Sequence, residues 1–239
     1  MLRRSKLVIA LVMSATLAQG QLPSRPKPAA EWMGVRYQTS SALLSGLTIK
    51  NTVYTAGYES EYSRGSKILF YGGVSQTVIP SSGSTITEFK SDRALYLEGQ
   101  VEQALGLLYF SGGFRRYSAV GTSRENLGAI TNEFANEYTL WEFPVSAGLR
   151  ETVGRITLAF GASKTYLYGK NLVKIKMSDQ GRTTSFGSLN QSFIDQQSPV
   201  FSAMVRVAFS PTYSLGLTVE SDGKNTTLIH ITFYTPVKK

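Results

Sequence analysis

The sequence predicts an all-β protein: an antiparallel, transmembrane, up-and-down β-barrel of about 10 strands, with about 8 as the alternative count. Three observations carry that expectation. The N-terminus has the form of an export signal, the rest of the chain alternates apolar and polar residues with period two, and the connections between the alternating runs switch between short and long.

The export signal comes first in the chain. Arg3, Arg4 and Lys6 form a basic start, Leu7 to Met13 is an unbroken apolar run, and Ala18-Gln19-Gly20 supplies small residues for cleavage. Residues 1–20 are therefore expected to be removed, since the apolar run is far shorter than the roughly 20 residues a membrane helix needs. Residues 21–32 follow as a short periplasmic segment with Pro23, Pro26 and Pro28, and residues 33–239 form the barrel. The whole chain carries +9; without the three basic residues of the signal the exported part carries +6. That excess suits anionic lipid heads or glycans, and nucleic acid is not expected as a partner of an exported chain.

Composition narrows the chemistry. Charged residues make up only 17% of the chain, and 22 glycines with 25 Tyr and Phe favour strands and turns over helices or disorder. With no Cys there is no disulfide, thiolate metal site or lipidated N-terminal Cys, and a single His rules out a His-rich metal site. No cofactor is expected.

The strands can be read in order. Met33 to Leu43 is the weakest, with Met33, Val35 and Tyr37 alternating before Ser-rich sequence blurs the pattern. A strand from about Thr52 and another over Ile68 to Val78 follow. In Ala94 to Leu105, Leu95, Leu97, Val101 and Leu105 oppose Tyr96, Glu98, Gln100 and Glu102. Leu107 to Phe110 is apolar on both faces. In Leu140 to Arg150, Trp141, Phe143, Val145, Ala147 and Leu149 oppose Glu142, Ser146, Gly148 and Arg150. Ile156, Leu158, Phe160 and Ala162 share a face, on which Lys164 then falls; a bulge or the membrane boundary would explain it. Val200 to Phe209, Tyr213 to Glu220 and Ile229 to Tyr234 alternate cleanly.

Short connections are expected at 63–67, 104–107, 151–155 and 210–213, and long polar ones at 80–93, 119–137 and 169–198, with a tight Ser-Asp-Gly-Lys-Asn at 221–225. Short turns on one rim and long loops on the other distinguish a membrane barrel from a soluble sandwich, and parity then requires the Met33 strand to make the count even. Aromatics near strand ends (Tyr54, Tyr62, Trp141, Phe201, Phe209 and Phe233) read as interface girdles on the lipid face. The polar face places Glu59, Glu61, Glu98, Glu102, Glu142, Arg115, Arg150, Arg206 and His230 in one lumen, where charges must find partners.

Trp141-Glu142-Phe143-Pro144-Val145, Gly148-Leu149-Arg150 and the strand Thr157 to Ala162 together resemble the PorT-like outer-membrane β-barrel proteins of Bacteroidota. That resemblance, over most of residues 33–234, implies an outer-membrane barrel, usually of unassigned function, with some members linked to protein secretion or gliding; it brings no catalytic residues. The chain departs from such barrels by continuing with Thr235 to Lys239 after its last aromatic, Tyr234.

Function follows only coarsely. The first expectation is a non-enzymatic, monomeric barrel in contact with outer-membrane lipid and lipopolysaccharide, acting as a structural or interaction component through its surface loops. Lys170, Lys174, Lys176 and Arg182 form a basic loop that could meet surface phosphates or a protein partner. A narrow pore is the second. The third is a lipid-active hydrolase built on His230 and Thr232, and the fourth a soluble periplasmic lipocalin-like carrier with its apolar faces turned inward. Asn190-Gln191-Ser192 and Asn225-Thr226-Thr227 match glycan sequons, a pattern common by chance.

Overall fold

A computed structural model describes residues 30–44, 47–63, 66–80, 89–127, 130–179 and 182–237; the expected signal and most of the Pro-rich segment lie outside the described residues. Twelve antiparallel strand segments run β1 (Ala30–Leu44), β2 (Leu47–Ser63), β3 (Ser66–Ile79), β4 (Phe89–Ser91), β5 (Ala94–Leu105), β6 (Leu108–Leu127), β7 (Ile130–Val153), β8 (Ile156–Asp179), β9 (Arg182–Gln196), β10 (Val200–Ser210), β11 (Tyr213–Ser221) and β12 (Thr227–Pro236). Neighbours in the chain pair except β4 with β5 and β9 with β10, and β1 pairs with β12 from Trp32↔Pro236 to Ser41↔Thr227, which closes the sheet into a ring. Closure removes the unpaired edges an open sheet would leave. Two positions in the ring are each filled by two segments. β4 and β5 lie in line between β3 and β6, and β9 and β10 lie in line along β8.

The wall is apolar outside and polar inside. Val35, Phe70, Leu149, Phe160, Phe201 and Phe209 stand on the outer face, each about half exposed or more, whereas Glu59, Glu98, Arg115 and Thr232 of the inner face are buried. A soluble carrier would show the reverse, so the lipocalin-like expectation is overturned. This is an antiparallel up-and-down membrane barrel.

One rim carries tight turns because its residues permit them. Gly106 and Gly154 sit at φ +64° and +60° in two-residue turns, the left-handed region that the twist of a hairpin demands. At the β10–β11 turn the Ser210 hydroxyl accepts the amides of Thr212 (3.1 Å) and Tyr213 (3.1 Å). Both ends of the described chain reach this rim. The first strand starts at Ala30, earlier than expected, and the residues after Tyr234 continue the last strand: Thr235 and Pro236 pair with Met33 and Trp32.

Two expectations need correction. The described residues of 119–137 and 169–198 are mostly strand, not loop: β6 and β7, ladders of 20 and 24 residues, continue through the first, and β8 and β9, of 24 and 15 residues, through the second. A crossing needs about 9–11 residues, so roughly 10 or more residues of each of β6, β7 and β8 stand clear of the membrane. The Lys164 irregularity is not a bulge. β7 and β8 keep one register from Val153↔Ile156 to Ile130↔Asp179, with Lys164 opposite Val145. The β6–β7 ladder is interrupted between Gly112↔Val145 and Arg115↔Glu142 without a change of register, because Pro144 has no amide proton to donate.

Candidate functional site

The inward side chains form two layers inside the barrel, and a vestibule below them opens at the short-turn rim. The layer nearer that rim is ionic. Arg36 donates to Glu98 at 2.7 Å, and Arg115 lies 3.7 Å from Glu98, 3.7 Å from Glu142 and 3.6 Å from Glu220. Glu59 sits between Lys67 (3.8 Å) and Arg206 (3.7 Å), and Arg150 pairs with Glu102. Five cations thus face five carboxylates. Charge balance of this kind is what allows ions to remain ionised away from bulk water.

Tyrosines brace the ions against the wall. Tyr71 donates its hydroxyl to Glu59 Oε1 at 2.8 Å, and the Arg36 guanidinium lies 3.8 Å from the centre of its ring. The ring fits because its neighbours on β1 and β2 are glycines: a Cβ on Gly57 or Gly34 would run into it. Tyr109 packs in the same way against Gly148 and Gly161. Arg206 stacks on Tyr234, 3.8 Å from its ring centre.

Above the ions, toward the long hairpins, lies an aromatic and aliphatic layer. Val53, Tyr96, Tyr117, Leu140 and Leu167 are all buried there, with Tyr138 and Phe193 packed against them. Tyr96 and Tyr117 meet edge to face at 5.0 Å between ring centres. Their hydroxyls tie this layer to the ionic one, Tyr96 donating to Glu98 Oε2 (2.9 Å) and Tyr117 to Glu142 Oε2 (3.4 Å), while Gln38 Nε2 donates to Tyr117 (3.1 Å). Two spaces lie among and below the ions. A cavity of about 130 Å³ lies between the charged groups, and a vestibule of about 790 Å³ opens at the short-turn rim beside Trp32, Glu61, Arg155 and Thr157.

The sequence-predicted residues fall as follows. Glu59, Glu98, Glu102, Arg115, Glu142, Arg150 and Arg206 come together in the ionic layer. Glu61 is apart, at the vestibule. His230 is buried in the same lumen, where its Nε2 has no hydrogen-bond partner, and Thr232 accepts from Arg36 Nε at 3.2 Å rather than facing a base. Lys170, Lys174, Lys176 and Arg182 do not form a loop: the three lysines stand on one outer face of β8 and Arg182 begins β9. Lys174 pairs with Glu137 at 3.4 Å. Arg36, Lys67 and Glu220 were missed. Arg36 lies opposite Val35 and Tyr37 in the blurred first strand, and that alternation alone would have found it.

The translocator domain of autotransporter NalP from Neisseria meningitidis has a similar structure, with a TM-score of 0.59 at 12% identity, over 99% of this chain and 98% of that one. The fold is that of an outer-membrane β-barrel. The β domain of the Bordetella autotransporter BrkA is similar too, with a TM-score of 0.52 at 11% identity, over 87% of this chain and 99% of that one. No family model matches the sequence, and neither does any curated protein. At such identities the likeness concerns the fold.

Proposed function

We propose that this chain is exported through a cleaved signal, resides in the outer membrane as a barrel closed to solutes, and presents the projecting part of β6 to β9 as a structural or interaction platform. The observation that carries this reading is the filled lumen. Ion pairs occupy its middle, and Tyr96, Tyr117, Leu140 and Leu167 close the side facing the hairpins. Platform use draws on β9, which pairs only with β8 among the described residues and so leaves one backbone edge open to an extended partner segment. The PorT-like kinship, resting on Trp141 to Val145, belongs to the same proposal.

The vestibule favours one second reading, a narrow pore gated at the aromatic layer. Planar-bilayer recordings separate the two. The native chain is expected to give no steady conductance, and the double variant Tyr117→Ala with Leu140→Ala to give discrete openings. Steady openings from the native chain would make it a pore.

A further inference from the structure

The outer wall of the barrel is largely apolar, and on one sector β6, β7 and β8 carry three cations beside aromatic rings. Arg116, Lys164 and Lys170 all lie on the outer face. Each sits against an aromatic ring: the Arg116 guanidinium is 5.5 Å from the centre of Trp141, Lys164 Nζ is 5.8 Å from Tyr166, and Lys170 Nζ is 6.0 Å from Tyr168. The rings themselves are neighbours, since Trp141 pairs with Tyr168 across the β7–β8 ladder and Arg116 pairs with Trp141 across β6–β7.

Two contrasts separate this sector from an ordinary solvated face. Higher on the same strands two of the cations have carboxylate partners: Lys174 has Glu137 and Arg124 has Glu133, each at 3.4 Å. Arg116, Lys164 and Lys170 make no ion pair among the described residues, and Arg116 Nε is buried without a hydrogen-bond partner. Height is the other contrast. At about 3.3 Å per residue and a tilt of about 40°, Arg116 and Lys164 stand roughly 20 Å above the short-turn rim and Lys170 about 35 Å. That interval spans the outer edge of a hydrocarbon band about 25 Å tall and the headgroup layer beyond it.

We propose that Arg116, Lys164 and Lys170, seated on Trp141, Tyr166 and Tyr168, form a docking site on the outer wall for the phosphorylated headgroup of an outer-leaflet lipid. Cations without protein anions, spread over about 15 Å of height around headgroup depth, complement a headgroup that bears more than one phosphate, and aromatic rings at the interface hold the sugar and upper acyl region beside them. The site deepens the outer-membrane reading and rests on it.

The full chain, folded in mixed micelles, tests the proposal. The sequence has two tryptophans, and Trp32→Phe leaves Trp141 as the only reporter, inside the site. Titration with bisphosphorylated lipid A is expected to shift Trp141 emission at a concentration at least about tenfold lower than with the dephosphorylated lipid, a difference the size of one charge-assisted contact. The variant R116Q/K164Q/K170Q is expected to lose that preference, K174Q/K176Q to keep it, and the exposed single variant K170Q to weaken it about threefold. Equal response to both lipids, or an undiminished preference in the triple variant, would overturn the site; displacement by millimolar inorganic phosphate would overturn a lipid as its occupant. Failure of the outer-membrane reading would show separately, as no insertion into phosphatidylcholine vesicles.

Discussion

Arg115→Met removes the hub of the ionic layer, and its cost can be worked from the geometry. The guanidinium holds three carboxylates at 3.6 to 3.7 Å. At an effective dielectric of about 20, each such contact is worth roughly 4–5 kcal/mol before desolvation, and desolvation of the ions cancels most of the sum. Glu98 keeps Arg36 at 2.7 Å, but Glu142 and Glu220 lose the one cation they pair with among the described residues. The expected net loss is about 3–5 kcal/mol, the usual cost of leaving buried charge uncompensated. Urea unfolding of the vesicle-inserted protein, read by the gel-mobility difference between boiled and unboiled samples, gives the number. Removing the stranded charges as well, in R115M/E142Q/E220Q, should recover at least about half of it, because a neutral network avoids the uncompensated ions. A single variant within about 0.5 kcal/mol of native, or a triple variant as unstable as the single one, would show that the ions in the lumen are solvated and that their pairing contributes nothing.

Other perturbations read other parts of the barrel. Tyr71→Phe removes a hydrogen bond to the buried Glu59 carboxylate and should cost about 1.5–3 kcal/mol in the same assay. Gly57→Val drives a side chain into the Tyr71 ring and should lower the fraction of protein that folds on dilution into detergent, which the unboiled gel band measures. Phe160→Arg places a charge on the outer face, at a residue 60% exposed, and should destabilise the vesicle-inserted protein by about 2–4 kcal/mol; no effect would contradict lipid contact there. In the β11–β12 loop the Asp222 carboxylate accepts amides of Lys224, Asn225 and Thr226, which hold its pKa below the usual carboxylate value. A lowered folded pKa means the loop is fully held above about pH 4 and loosens as pH falls through the folded value, so hydrogen exchange at 224–226 should rise in acid and be raised at all pH values in Asp222→Ala.

The sequence by itself determined which way each side chain points. Side chains on a strand alternate, so runs such as Leu95-Tyr96-Leu97-Glu98 assign faces without knowledge of the neighbours, and an N-terminus with the pattern of an export signal then argues for lipid on the apolar side. It also marked the short turns, because Gly106 and Gly154 take a left-handed conformation that few other residues adopt. The first strand was hard to read because Ser40 and Ser41 interrupt its alternation, and its place is fixed by β12 and β2 on either side rather than by its own pattern. Partners across the lumen were not legible at all. Arg36 reaches Glu98 although 62 residues separate them, and Arg115 reaches Glu220, because curvature and shear of the closed sheet bring those heights together. For the same reason the aromatic layer over the ions, and the placing of Arg116, Lys164 and Lys170 on one outer sector, exist only in the tertiary structure: periodicity fixes the face of a residue, and closure of the barrel decides what it meets there.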